Sequence, residues 1–460
     1  MSIIWYKNIK AILKGEPELW LAYLQGQQLE NLPHLTGKKS RYRGLSLQLF
    51  KFSYLLIRTW RPFSSNNINY NASYFFFAVT SNQIDSLNST IDSLKKRGAV
   101  VIAVAPKNLI NCPEREERYI PLILNSSDLL KTLFLVVRRG PSLYQELKKL
   151  HPEAVSGWYA DFCLVYAYLC YFQRILSLTL PEFVVTANDH SVPNRCMIAV
   201  AHQLGIETAY LQHASVSKFF PALRVNYAFL DGQSALDTYR QCEKNQPDTD
   251  RQAPIPRIFL SGQKKSIIRN NDKTTECIGI ALNSLDDIDI AIGFINQISD
   301  IGYNLSIRWH PAQTEYDIKK IRELSEREST IVLSDPKKEP VSSFLSHITW
   351  LVAGNSSIHL EAVLAGVSSV YYELTSVSNP DYYGYVENGL ALEVNSVEEL
   401  NNLVKCGVSI SNESKNFIRY YSSTYQTEWE GREGELVAKT LESLREGKET
   451  PINSLVFASK

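Results

Sequence analysis

The chain reads as an α/β protein of two Rossmann-like domains facing a cleft, and three observations predict it. Short β-branched and aromatic runs alternate with segments whose apolar residues recur at helical spacing. That alternation breaks at a polar stretch, Gly262 to Glu276, and then begins again. The length of 460 residues at 44% apolar composition is too much for one typical core and about right for two. The resulting division is a basic and aromatic helical segment over 1–70, a first Rossmann-like domain over 71–262, a second over 277–410, and a helical tail over 411–460 that crosses back.

Composition excludes several classes. Lys+Arg and Asp+Glu are equal at 48 each, so no overall charge argues for nucleic acid. Seven cysteines are scattered without C-x-x-C spacing or paired histidines and read as reduced thiols of a cytoplasmic protein. The first twenty residues lack the apolar core of a signal peptide, and no run is read as reaching membrane-spanning length. The longest, Phe162 to Phe172, is expected to be a buried helix.

Charge placement says more. From Asn31 to Ile84 there is no acidic residue, while Lys38, Lys39, Arg41, Arg43, Lys51, Arg58 and Arg61 interleave with Tyr42, Phe50, Phe52, Tyr54, Trp60 and Phe63. Two readings stay open: a segment lying peripherally on the anionic inner membrane, or a solvated helical hairpin.

In the first domain, Tyr74 onward (YFFFAVT) is a strand, Asn82 to Arg97 a helix stopped by Gly98, and Val100 to Ala105 a strand. The turn between them lacks G-x-G-x-x-G, so no dinucleotide cofactor is indicated. A strand pattern at Tyr119 to Leu124 precedes helices through Leu180. Phe183 to Ala187 is a strand ending in Asn188-Asp189-His190, and Pro193 sits near a helix start that runs to Gly205. Thr208 to Leu211 is a strand ending in Gln212-His213-Ala214-Ser215, followed by strands at Asn226 to Leu230 and Arg257 to Leu260. Two polar loops thus leave the carboxyl ends of parallel strands, the edge where open α/β sheets bind ligands.

The second domain repeats the pattern: strands at Cys277 to Leu282, Leu305 to Trp309 and Thr330 to Leu333, with helices at Asp286 to Ile301, Glu315 to Leu324 and Val341 to Ser346. Thr349 to Tyr372 then reads as strand, polar turn Gly354-Asn355-Ser356-Ser357, helix and strand. Helices at Ser396 to Lys405 and from Glu413 onward complete the chain.

The chemistry concentrates at two strand ends. Paired serines opening a helix bring hydroxyls and backbone N–H groups to an anion, although Ser357 as an ordinary N-cap needs no ligand. Arg308 and His310 share one face of their strand, and Pro311 ends it, so His310 stands at the carboxyl tip. Together these suit a phosphodiester or diphosphate without a metal. Glu361 either favours the helix dipole or reaches ribose hydroxyls. Asp287-Ile288-Asp289 is a literal D-x-D, but in the first turn of a helix it reads as dipole stabilisation.

His310-Pro311 with Ser356-Ser357 and Glu361 resembles the HP and serine motifs of bacterial GT-B glycosyltransferases that use CMP-activated acidic sugars, namely the sialyltransferases, polysialyltransferases and Kdo transferases of capsule and lipopolysaccharide synthesis. CDP-glycerol and CDP-ribitol polymerases are more distantly similar, and their His-Gly-Thr loop is partly matched by Gln212-His213-Ala214-Ser215. The likeness runs over roughly Phe183 to Tyr385. It departs where the family often has Gly-x-Pro after the serine helix and this chain has Gly366-Val367-Ser368, and where His-Gly is His213-Ala214. The resemblance implies a nucleotide-sugar donor, CMP-sugar favoured, no further cofactor and no metal. The donor would be held by Arg308, His310, Pro311, Asn355, Ser356, Ser357 and Glu361, with a glycan or lipid-linked glycan as acceptor.

An acceptor hydroxyl must lose its proton during transfer, and Asp189, His190 and His213 are the candidates at the cleft edge of the first domain, Asp189 or His213 favoured. Asp189 as a helix cap and His213 as a backbone partner are equally ordinary roles. Three other functions stay open: a CDP-polyol phosphotransferase, a UDP-sugar 2-epimerase, against which Asn355-Ser356-Ser357 argues because Ser-Gly-Gly is expected there, and a catalytically silent polysaccharide assembly factor.

Overall fold

The computed structural model describes residues 2–15, 44–61, 72–150, 152–218, 220–244, 254–264, 277–375, 381–407 and 412–457. Lys38, Lys39, Arg41 and Arg43, and the linker stretch from 265 to 276, lie outside the described residues. In chain order the first unit comprises α1 (Ser2–Ile12), α2 (Leu45–Thr59), β1 (Tyr74–Phe77), α3 (Ser81–Lys96), β2 (Val101–Ala105), a single helical turn at Pro113–Glu116, β3 (Ile120–Pro121), α4 (Ser126–Leu150), α5 (Pro152–Thr179), β4 (Phe183–Thr186), α6 (Val192–Gln203), β5 (Glu207–Leu211), β6 (Tyr227–Leu230), α7 (Gln233–Lys244) and β7 (Arg257–Leu260). The second comprises β8 (Cys277–Ala281), α8 (Ile288–Ile301), β9 (Asn304–Arg308), α9 (Glu315–Arg327), β10 (Ile331–Ser334), α10 (Val341–Ser346), β11 (Trp350–Ala353), α11 (Ile358–Leu364), β12 (Ser368–Tyr371), β13 (Leu392–Glu393) and α12 (Val397–Cys406). The tail adds α13 (Asn412–Tyr421), α14 (Glu433–Arg445) and β14 (Leu455–Val456).

A strand covered on both faces needs apolar side chains at every position, and the Tyr-Phe-Phe-Phe of β1 supplies them. Tyr74 and Phe76 join the cluster formed with Ile84, Leu87 and Ile91 of α3 and Val437 and Leu441 of α14, while Phe75 and Phe77 join that of α5 and α6 on the other side. The first sheet runs β14-β7-β6-β5-β4-β1-β2-β3, parallel except for β14 against β7. The second runs β10-β9-β8-β11-β12-β13, all parallel. Two separate sheets replace any single continuous one. In each the strand order reverses once, between β1 and β4 and between β8 and β11, and those reversals open the crevices in which open α/β sheets take ligands.

Four features differ from the sequence reading. The apolar run at Phe162 to Phe172 lies within a far longer helix, α5. By length and composition its Gly157–Thr179 portion is long and apolar enough to cross a membrane, yet 67% of the apolar window is buried in the fold. Polar residues at most positions hide α7, whose buried stripe is Ala235, Leu236, Tyr239 and Cys242. Strand β14 is too short to carry a periodicity of its own. Finally, Gly262 to Lys264 is packed rather than linker-like: a Cβ on Gly262 would lie 1.8 Å from Thr424 Oγ1, and its φ of +71° already suits glycine.

Lys264 shows why this spot is closed. Its side chain is fully buried, and Nζ donates to Asp231 Oδ1 at 2.9 Å, to Ser261 Oγ at 3.1 Å and to the Gly262 carbonyl at 2.7 Å, three donors with three acceptors. Ser423 N–H donates to the Asp231 carbonyl at 2.9 Å, which ties the returning tail to the same residue. Removing one member of such a pair strands the other's charge. Lys264→Met is therefore expected to cost about 3–5 kcal/mol in urea unfolding, and Lys264→Met with Asp231→Leu to recover much of that loss.

Candidate functional site

The crevice of the second domain is built by the turns that end β8, β9 and β11. Because β8 lies between β9 and β11, the carboxyl ends of the outer two stand roughly 10 Å apart, two strand spacings. At the end of β9 the backbone turns through Pro311. Gln313 N–H donates to the His310 carbonyl at 2.9 Å and Ala312 N–H to His310 Nδ1 at 3.1 Å, so the exposed imidazole carries its proton on Nε2.

Opposite, Gly354-Asn355-Ser356-Ser357 leads into α11. Ser357 occupies the N-cap position but has helical angles, φ −66° and ψ −12°, and its hydroxyl caps nothing. Ser356 Oγ accepts only a long bond of 3.5 Å from Ile358 N–H. The ordinary capping role is thus not what these half-buried hydroxyls do. Asn355 is a brace: its Oδ1 accepts from Tyr382 N–H at 2.7 Å and its carbonyl from Asn283 Nδ2 at 2.6 Å, joining the β8 and β11 turns.

Two further candidates have work elsewhere. Arg308 lies on the expected face but is buried, donating to Ser334 Oγ at 2.8 Å and to the Glu339 carbonyl at 2.9 Å. Burial lowers its pKa, opposed by Glu339 and Glu361. It props the turn after β10, which corrects its expected place as a donor ligand. Glu361 is likewise buried within α11, inside the electrostatic reach of Arg308 and Tyr385. Asp287 is the N-cap of α8, accepting from Asp289 N–H at 2.9 Å, and Asp289 pairs with Lys320 at 2.6 Å.

Two residues that the sequence reading passed over hold the turns in place. His359 is fully enclosed, with Nδ1 2.6 Å from Ser369 Oγ and Nε2 2.9 Å from the Gly354 carbonyl. A carbonyl can only accept, so Nε2 carries the proton, Ser369 donates to Nδ1, and the ring is neutral; burial pushes its pKa down to about 4. Asp286 accepts from Asn283 N–H at 2.6 Å, and burial pushes its pKa up to about 6. A Cβ on Gly354 would come within 3.3 Å of its Oδ1, a tight contact that the carboxyl would have to ease by a few tenths of an ångström. A His inside the apolar run Ile358-His359-Leu360 is the sole sequence signal for the first, and nothing in the spacing marks the second.

In the first domain, the turn after β4 folds on itself. Asn188 Oδ1 accepts from His190 N–H at 3.0 Å and Ser191 N–H at 2.7 Å, fixing the amide orientation. Its Nδ2 then donates to His190 Nε2 at 3.0 Å, and His190 Nδ1 donates to Asp189 Oδ1 at 3.0 Å. Asp189 has no exposed surface and lies behind His190, itself only 6% exposed, whose ring it orients through Nδ1. The structure thus places Asp189 one residue behind the position expected of a direct base. Nor is it the cap of the following helix, since Asn188 supplies that turn. His213 is half-buried in the turn after β5, where Ser215 Oγ and Tyr385 OH lie 2.6 Å apart and Ser217 bonds Tyr382. These hydroxyl pairs bridge the two domains beside a cavity walled by Gln212, Ser215, Leu360, Tyr385 and Tyr421.

No family model matches this chain, and no curated protein does. Solved structures do. A UDP-N-acetylglucosamine 2-epimerase from Methanocaldococcus jannaschii superposes with a TM-score of 0.51 at 15% identity, covering 80% of this chain and 99% of that one. A second UDP-N-acetylglucosamine 2-epimerase structure gives 0.51 at 10% identity over 85% of this chain and 100% of the other. A glycotransferase of kitacinnamycin gives 0.48 at 10% identity over 83% and 100%. Identities this low speak for architecture alone, and the architecture is the GT-B one, two Rossmann-like domains across a cleft.

Asp286 and His359 make a pH test of the turn. Asp286, with its pKa raised from 3.8 to about 6, adds stability that is fully present below about 4 and lost as pH rises through about 6. His359, lowered from 6.5 to about 4, adds stability that is present above about 6.5 and lost as pH falls through about 4. The two oppose one another in the same window. Relative to wild type, Asp286→Asn should lose roughly 3 kcal/mol more on acidification from pH 7 to 4, and His359→Gln roughly that much less, measured by urea unfolding across that range.

Proposed function

We propose that this chain is a glycosyltransferase that moves a CMP-activated acidic sugar, of the sialic acid or Kdo kind, onto a surface polysaccharide or lipid-linked oligosaccharide, working without a metal at the cytoplasmic face of a membrane. The observation that carries the donor class is the scarcity of cations around the donor crevice. Among the turns that end β8, β9 and β11, from 282 to 287, 309 to 314 and 354 to 357, His310 is the only side chain that can carry positive charge, and Arg308 beneath it is engaged with Ser334 and Glu339. One imidazole, two uncommitted serine hydroxyls and backbone N–H groups balance the single charge of a phosphodiester better than the two of a sugar diphosphate.

In this reading an acceptor hydroxyl attacks the anomeric carbon, the bond from that carbon to the phosphate oxygen breaks with its electron pair, and CMP departs. His190 takes the hydroxyl proton once its Nε2 exchanges the Asn188 amide for the substrate, and Asp189 stabilises the imidazolium. His310, Ser356 and Ser357 stabilise the departing phosphate. His213, at the domain seam, stands as the second candidate for the base. The strand end Arg308-Trp309-His310-Pro311 also supports a nucleotide-sugar 2-epimerase, which would carry out its chemistry on a UDP-sugar with no acceptor.

Binding of CMP, CDP and UDP, with donor hydrolysis of CMP-sialic acid, CMP-Kdo and UDP-N-acetylglucosamine, separates these. Removing a charge-assisted hydrogen bond from the donor phosphate should cost about 1.5–3 kcal/mol, so His310→Ala should weaken CMP roughly ten- to hundredfold, with Ser356→Ala and Ser357→Ala weaker in effect. His190→Gln should keep CMP binding and lose transfer; Asp189→Asn should lower turnover with unchanged CMP affinity. Tighter binding of UDP than CMP, together with turnover of a UDP-sugar in the absence of acceptor, would replace this reading with epimerisation.

A further inference from the structure

A second cavity lies at the carboxyl edge of the first sheet, away from the donor crevice. It encloses about 440 Å³ where β1, β2 and β3 end beneath α2 and α5. Leu55, Phe77, Leu122, Leu164, Ala167 and Tyr168 make an apolar wall, and Arg58, Arg61 and Lys107 stand at its exposed parts. No lining residue among those described is acidic. Among the described residues neither Arg58 nor Lys107 has a carboxylate partner, and the side-chain hydrogen bond of Arg61 goes to its neighbour's carbonyl, Trp60 O, at 2.8 Å. Since β1 adjoins β4, the cavity opens one strand spacing from the turn that carries His190.

The surface beside it is of the same character. On α2, Leu49, Phe50, Tyr54 and Ile57 are exposed by 45 to 66%. On α4, Leu130, Leu133, Phe134 and Val137 are exposed by 43 to 79% at helical spacing, an apolar stripe that faces outward. The helices α1, α2 and α4 hold 11 of the 23 large exposed apolar residues among those described, although they make up 51 residues. Neither α1 nor α2 contains an acid; of the two on α4, Asp128 is buried against Arg174, and Glu146 is exposed near the far end of the helix. An apolar surface with uncompensated cations complements an anionic amphiphile.

We infer that the cavity under α2 binds a phosphate-bearing amphiphile, the phosphate at Arg58 and Lys107 and the chain along the wall of Leu55, Leu122, Leu164 and Tyr168. Its chemistry is that of a polyprenyl or glycerolipid phosphate in a bilayer, or of a soluble phosphorylated lipid. The inference needs no assumption about the nucleotide.

Titration calorimetry of the full chain with octyl, decyl and dodecyl phosphate, each below its micellar concentration, tests it. Affinity should rise with chain length, by up to about fourfold per buried methylene, until the cavity is filled. Arg58→Gln with Lys107→Gln, both exposed and away from the core, should weaken dodecyl phosphate at least tenfold while leaving thermal unfolding and CMP binding as in wild type. Equal binding of dodecyltrimethylammonium, an unaltered affinity in the double variant, or displacement of dodecyl phosphate by equimolar inorganic phosphate would overturn the inference. Phosphatidylcholine vesicles with and without phosphatidic acid identify the source: competition by the anionic vesicles alone makes it a bilayer lipid, and absence of competition makes it a soluble amphiphile, the site standing in either case. A chain that binds dodecyl phosphate but no nucleotide loses the donor reading and keeps this one; the converse loses this one alone.

Discussion

The buried pair of Lys264 and Asp231 fixes the geometry on which the cleft depends. It sits where the chain leaves the first sheet, and the tail returns to the same point, Ser423 N–H bonding the Asp231 carbonyl and Gln263 N–H bonding Ser422 Oγ. A Cβ on Gly232 would lie 2.4 Å from the Tyr420 carbonyl, so the backbone of the tail lies against that of the first domain. On one side of this point α13 touches α11 through Ile418 and Tyr421. On the other, α14 lies on α3, where Gly434 meets Ser89, and β14 extends the sheet. Both domains therefore share one strap, and a rotation between them must be absorbed around the node rather than through it.

Beneath the turns that end β8 and β11, polar groups are used to hold backbone rather than to meet solvent. His359 and Ser369 pin the Gly354 carbonyl, Asn283 pins that of Asn355, and Asp286 closes its own turn on Asn283 N–H. Burying a neutral imidazole and a carboxyl at one turn is costly unless their hydrogen bonds are made. Those bonds fix the backbone of the turn, and with it the direction of the serine hydroxyls and N–H groups it presents.

How much of this was legible follows from what each signal depends on. The strands of both sheets are visible because a parallel strand buried on both faces must be apolar throughout, as in β1 and β11. Helix α7 was not, since a helix covered on one side by another chain segment needs only Ala235, Leu236, Tyr239 and Cys242. Of the candidate site, His310 and the paired serines could be placed by their strand ends. The tasks of Arg308 and Asp189 could not, because both depend on partners such as Glu339, or on a degree of burial, that only the tertiary fold determines. His359 and Asp286 were invisible for the same reason: their role is to bond backbone carbonyls and amides, which every residue carries.

Charge segregation connects the two sites. The chain has no net charge, yet its cations are not evenly spent. At the donor edge they are neutralised or braced: Arg308 against Ser334 and the Glu339 carbonyl, Lys320 against Asp289. At the edge of the first sheet Arg58 and Lys107 have no carboxylate partner among the described residues, and the helices beside them expose apolar side chains. An anion approaching the molecule is thus drawn more strongly to the first domain than to the second, over a range set by a Debye length of about 8 Å at physiological salt. On the readings proposed above, a lightly charged donor held by shape and hydrogen bonds and an acidic amphiphile held by charge and apolar contact would not compete for the same surface.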